Sequence, residues 1–144
     1  GCKSPFGLEN RYNNWLKIAD VEGIEVYTDT ASIKPMGAVT YAFEKRVYVT
    51  PEAKESYVKR IRDEYAKMGK PQKADKWNDF SYSVYYSLYD CSNRRFKVLI
   101  VEDYDLQGNR LVRTITAKNK LRWLNVNSET VGDYTFFFVC DYGY

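Results

Sequence analysis

The chain has 144 residues and a net charge of +3, from 22 lysines and arginines against 19 aspartates and glutamates. That length suits one domain with one core, and so small a charge does not by itself imply nucleic acid. Histidine is absent, which removes Ser-His-Asp and Cys-His catalysis and any zinc site that needs an imidazole, while three cysteines cannot fill a four-cysteine site.

Residues 1–13 read as a polar tether ahead of the first apolar element at Trp15. Gly1-Cys2 at its head resembles the end of a bacterial lipoprotein signal, where the cysteine becomes the lipidated residue; a leftover thiol is the plainer reading. Two short β-type runs, 14–20 and 23–28, meet at a Glu22-Gly23 turn and predict a hairpin. Residues 30–38 read as a loop punctuated by Pro35 and Gly37, and 39–49 as a long strand.

The period then changes. Ala53, Tyr57, Val58, Ile61, Tyr65 and Met68 recur at helical spacing and predict a helix over 51–68. Thr50 suits its N-cap, Pro51 its first position and Gly69 its end. Lys54, Lys59, Arg60 and Arg62 read as its solvated face. Residues 69–78, with Lys70, Lys73, Lys76 and Trp77, read as a basic, mobile loop.

Strong alternation returns over 79–90. Phe80, Tyr82, Val84, Tyr86 and Leu88 share one side, which predicts a strand buried on that side only. Strands over 94–104 and 109–117 complete an antiparallel meander, and 121–126 reads as a short extension. From Ser128 onward, Tyr134 and Phe136 to Val139 favour a strand. Ser128 as a cap, with Val131, Tyr134 and Phe138 at i, i+3 and i+7, favours a helix. Both readings stay open at this level. No apolar run is long enough to cross a membrane.

Cys91 and Cys140 each adjoin apolar sequence, and neither lies in a C-x-x-C motif. They read as a disulfide contributing roughly 4 kcal/mol in the chain-entropy model, with two buried free thiols as the alternative. An oxidised pair and a lipidated Cys2 would both place the protein outside a bacterial inner membrane.

Asp103, Asp105 and Gly108 suggest a calcium loop, but Gln107 and Thr114 occupy the ligand positions five and twelve. A hairpin turn accounts for the same residues: Gly108 supplies a positive φ and Asp105 hydrogen-bonds its own turn. Glu102, Asp103 and Asp105 make no glycosidase pair, because Glu102 and Asp103 point to opposite faces of a strand. The sequence therefore predicts no enzyme, with no catalytic residue, cofactor or metal. Two basic groups remain as candidate partner-binding residues: Arg94, Arg95 and Lys97, and Lys118, Lys120 and Arg122 before Trp123. Protection of a sheet edge explains the same charges.

The ordered set of Trp15, Tyr27 and Asp29, then Cys91 with Arg94, Arg95 and Phe96, then Tyr104, Asp105 and Gly108, then Trp123 and Cys140 resembles the surface-adhesin protein E family of bacterial lipoproteins. The resemblance implies an α+β fold, an antiparallel sheet of about six strands with a C-terminal helix packed on it, and a disulfide between Cys91 and Cys140. The helix at 51–68 looks like an insertion in that pattern. Some members of the family bind host matrix proteins such as vitronectin and laminin. The expectation is a tether at 1–13 and one domain at 14–144, in a lipoprotein of the bacterial envelope, periplasmic or on the outer surface. It would bind a protein partner, including a host extracellular-matrix component. The alternative is a periplasmic structural or accessory lipoprotein that binds another envelope protein; a hydrolase or sugar-binding enzyme ranks below both. A homodimer is an expected option, nucleic acid is not, and the membrane would be met only through the lipid on Cys2.

Overall fold

The computed structural model describes residues 7–127 and 131–142. It contains β1 (Trp15–Val21), β2 (Ile24–Asp29), β3 (Lys34–Met36), β4 (Val39–Tyr48), α1 (Pro51–Lys67), β5 (Phe80–Asp90), β6 (Arg95–Asp105), β7 (Arg110–Ile115), β8 (Leu124–Asn125) and α2 (Val131–Asp141). The sheet runs β1-β2-β4-β5-β6-β7, with β3 paired to β4 and β8 to β6, all antiparallel. This is the expected meander, with α1 inserted between β4 and β5. The short β3 lies inside the stretch read as a loop.

Local chemistry explains the boundaries. Glu22 and Gly23 both have positive φ, 49° and 80°, as a two-residue hairpin turn of the primed kind requires. Thr50 caps α1 by accepting the Ala53 N–H at 3.2 Å. At the other end Gly69, with φ 72°, lets its own N–H reach Ala66 O and the Lys70 N–H reach Tyr65 O, which is a Schellman closure.

Both helices lie on one face of the sheet. On β4, alternation sends Ala42, Glu44, Arg46 and Tyr48 toward them. α1 buries Tyr57 and Val58 against Tyr48, Phe80 and Trp77. α2 buries Phe136 and Val139 against Ala42 and Tyr89. On the opposite face Leu8 closes a third cluster with Phe43, Val84 and Tyr104. The tail is thus a helix, and a disulfide joins Cys91 at the β5–β6 turn to Cys140 in α2, with Cα atoms 5.6 Å apart. The free-thiol alternative does not hold.

Three expectations need correction. The strand at 79–90 is not buried on one side only, since Ser83 and Val84, on opposite faces, are both fully buried. A register shift between Phe80 and Tyr82 also turns Phe80 to the helix face, where its ring stacks on Tyr57 at 4.5 Å; a bulge reverses side-chain parity in this way. The stretch read as a mobile loop is a 3₁₀ helix, Pro71–Asp79, pinned by the buried Trp77, whose indole N–H donates to Asp103 at 2.9 Å. Finally, the tether reading fails from residue 7 onward. Leu8 starts a short 3₁₀ turn, Leu8–Asn10, and is 1% exposed. Its N–H donates to Glu102 at 2.8 Å, and Glu9 accepts from the Trp15 indole and the Tyr82 hydroxyl. Cys2 and Ser128 lie outside the described residues.

Candidate functional site

The β8–β6 pairing sets Leu124 beside Phe96 and Asn125 beside Arg95. The Thr116 N–H bonds Leu99 O and the Val126 N–H bonds Arg94 O. Both ends of the segment 116–126 are therefore fastened to one stretch of β6, and the loop between them overhangs it. Arg95 and Lys97 alternate with Phe96 and so share a face. Both cations sit over the Trp123 ring, at 4.2 and 4.3 Å from its centre, in cation–π contact.

Of the six cations nominated from the sequence, the structure brings Arg95 and Lys97 to one ring, and the others have different commitments. Arg95 also pairs with Asp90 at 2.9 Å. Asn93 and Arg95 together hold the Asp90 carboxyl below its ordinary pKa. Arg94 adopts φ 51° and lies over Phe137 of α2 at 5.9 Å. Arg122 turns back on its own loop, donating to Asn119 O and Leu121 O. Lys118 and Lys120, in a 3₁₀ turn, are exposed and have no ion pair among the described residues. Half-buried Trp123 with cations clustered around it suits contact with an acidic surface.

The three carboxylates weighed from the sequence, Glu102, Asp103 and Asp105, are all internally employed. Asp105 accepts the Gln107 and Asn109 N–H groups at 2.9 and 2.8 Å, and Gly108 has φ 80°, so the calcium-like stretch is a capped turn. Glu102 and Asp103 face opposite sides of the sheet. Among the described residues no three acidic or cysteine side chains converge for a metal.

Two features escaped the sequence reading. On the face opposite the helices, Lys45 sits over the rings of Trp15, Tyr27 and Tyr82 at 4.8–5.6 Å, and burial lowers its pKa. Between α1 and α2 a groove of about 890 Å³ opens onto the sheet, floored by Arg46, Tyr48, Tyr85, Val98 and Val101. Burial pushes Tyr48 and Tyr85 up in pKa, so both present neutral hydroxyls. The alternation that places Arg46 beside Tyr48 and Ala42 was readable; the uncovered strip between two helices was not.

The model of the surface-adhesin protein E family matches residues 15–141. The chain belongs to that family. It is an adhesin-like surface protein by family, and the family is not one of enzymes. Among solved structures, crystal form II of Haemophilus influenzae protein E is similar with a TM-score of 0.51 at 15% identity, covering 89% of this chain and 87% of that one. The selenomethionine form of the same protein gives 0.50 at 16%, covering 89% and 86%. At such identity the likeness is one of fold. No curated protein matches the sequence significantly. No helix among the described residues is long and apolar enough to cross a membrane.

The residues that carry the family resemblance here are mostly structural. Trp15 and Tyr27 enclose Lys45, Asp29 caps the next turn through the Ala31 N–H, and Tyr104 bonds Glu102. Arg94 is exposed, and Arg95 and Trp123 are half-buried.

Proposed function

We propose that this member of the surface-adhesin protein E family is an exported bacterial lipoprotein, anchored by a lipid on Cys2, that binds an acidic surface of a protein partner through the edge around Trp123. The observation that carries this reading is the aromatic ring held by Arg95 and Lys97, in a loop that also carries the exposed Lys118 and Lys120. An ion-paired shield for a sheet edge would need no aromatic at its centre. The family supports a host extracellular-matrix component as the partner class. Solid-phase binding against a panel of matrix proteins tests it. Saturable binding at micromolar concentration that weakens with added salt and in Trp123→Ala supports the reading; no saturable binding to any of them counts against adhesion.

One observation favours a second reading, an accessory role toward another envelope protein. Because Leu8 is docked on the sheet, the chain from Cys2 to Gly7 can span at most roughly 17 Å. A lipid on Cys2 would hold the domain close to its membrane, within reach of neighbours in the same envelope. Labelled-palmitate incorporation that disappears in Cys2→Ser tests the anchor, and cross-linking in intact envelopes tests the neighbour. The open edges at β1 and β7 leave a homodimer available, which light scattering decides.

A further inference from the structure

We propose that the groove between α1 and α2 is a binding site for an organic monoanion with an apolar body, of the kind represented by a medium-chain carboxylate, with its charged end on Arg46. This site is separate from the Trp123 edge and does not depend on the partner reading.

The groove exists because the helices cover different parts of the sheet. α1 packs over Tyr48 and Phe80, α2 over Ala42 and Tyr89, and the strip between them stays open. Its volume, about 890 Å³, lies within the range of roughly 300–1,000 Å³ typical of small-molecule sites. The apolar lining comes from Ile24, Ala53, Phe96, Val98, Val101 and Leu124. Such walls suit a hydrocarbon or aromatic body.

The floor supplies the anion's partner. The Arg46 Nε donates to one Glu44 oxygen at 2.9 Å, and the other Glu44 oxygen accepts from the Thr135 hydroxyl. Each Glu44 oxygen thus has a donor of its own. No hydrogen bond from either terminal nitrogen of Arg46 to a described residue is present. The side chain is 22% exposed, and its guanidinium lies over the Tyr85 ring at 4.7 Å, which fixes its plane. Two terminal nitrogens in a held plane form the fork that matches a carboxylate. Arg60, over Tyr57 at 4.9 Å, adds a second cation at the wall, with no ion pair among the described residues. Glu22 and Glu52 also line the groove and disfavour further negative charge, which selects a monoanion over a polyanion.

Calorimetric titration with decanoate, against decan-1-ol and decyltrimethylammonium of equal chain length, tests the site. Gly132 in α2 offers a block that leaves every charge in place. A Cβ there would stand 3.4 Å from Phe96 Cζ and 3.7 Å from Arg46 Nη2, so Gly132→Leu extends its side chain between them. Expected are one saturable decanoate site, at least tenfold tighter than for either control, a tenfold or greater weakening in Arg46→Gln, and loss of binding in Gly132→Leu with its thermal unfolding unimpaired. Because Arg46→Gln strands Glu44 and can unfold the protein, Gly132→Leu decides alone if it does. No saturable decanoate binding up to roughly 1 mM, binding equal to that of decan-1-ol, or binding unchanged in Gly132→Leu would each overturn the proposal.

Discussion

Glu102 and Asp103 are consecutive on β6, both essentially unexposed, and each fastens a different layer to the sheet. Glu102 accepts the Leu8 N–H and the Tyr104 hydroxyl at 2.8 Å and Arg110 at 2.9 Å, which docks the N-terminal turn. Asp103 accepts the hydroxyls of Tyr57 and Ser83 and the Trp77 indole N–H, at 2.7–2.9 Å, which docks α1 and the 3₁₀ helix after it. Both carboxylates are committed to these structural contacts, and their opposite orientations follow directly from strand alternation.

Asp103 should therefore be among the most costly positions to change. Asp103→Ala leaves three buried donors without an acceptor, and should lower unfolding free energy by about 3 kcal/mol or more, while Ser83→Ala costs about 1 kcal/mol. Denaturant unfolding measures both. A loss below about 1 kcal/mol in Asp103→Ala would contradict the docking role, as would an unchanged Trp77 environment by fluorescence.

Gly23 should tolerate no side chain. Its φ is 80°, and an added Cβ would stand 2.2 Å from Thr50 Oγ1, the cap of α1. Gly23→Ala combines backbone strain with a disturbed cap, for a loss of about 2–3 kcal/mol. Glu22→Asn, at φ 49°, should go the other way by about 0.5 kcal/mol, because Asn-Gly suits such a turn. Thermal unfolding of the two variants gives opposite shifts if this account of the hairpin holds.

The disulfide clamps the end of α2 to the β5–β6 turn across a sequence separation of 49. Removing it with Cys91→Ser/Cys140→Ser should cost roughly 4 kcal/mol in the chain-entropy model. A variant as stable as the wild type would mean that Phe136 and Val139 hold α2 without it.

Alkaline pH should unfold the protein through its tyrosines. Burial raises Tyr48, Tyr57, Tyr85 and Tyr89 above the ordinary value of 10.0. The unfolded chain then loses these protons first, so the folded state binds more protons above about pH 10 and stability falls as pH rises. The stabilisation is fully present below pH 10. Tyrosinate absorbance should rise in step with loss of circular dichroism; complete tyrosine ionisation in a folded protein would contradict the burial.

The sequence made the meander and α1 legible because their signals are local: period two over 79–90, and the Thr50, Pro51 and Gly69 punctuation. Its errors are non-local. Trp77 reads as part of a polar loop until Asp103, 26 residues away, is seen to accept its N–H. Leu8 reads as tether until Glu102, 94 residues on, is seen to hold it. The tail stayed balanced between strand and helix because its aromatics satisfy both patterns, and the family resemblance favoured the helix. The six cations were visible individually, whereas the meeting of Arg95 and Lys97 with Trp123 depends on the β8–β6 register. The groove depends on the spacing of two helices on a sheet, which no local pattern encodes.

The claim that the Trp123 edge is the contact surface is tested most directly by the binding isotherm of Lys118→Glu/Lys120→Glu/Arg122→Glu beside the wild type, on the matrix protein that the wild type binds most tightly. The three side chains are exposed and their only hydrogen bonds among the described residues are Arg122 to its own loop, so thermal unfolding should stay within about 0.5 kcal/mol of the wild type. The account predicts that affinity falls at least tenfold, about 1.4 kcal/mol, and loses most of its salt dependence. Undiminished binding by the folded variant, or no matrix protein bound by the wild type, would contradict it.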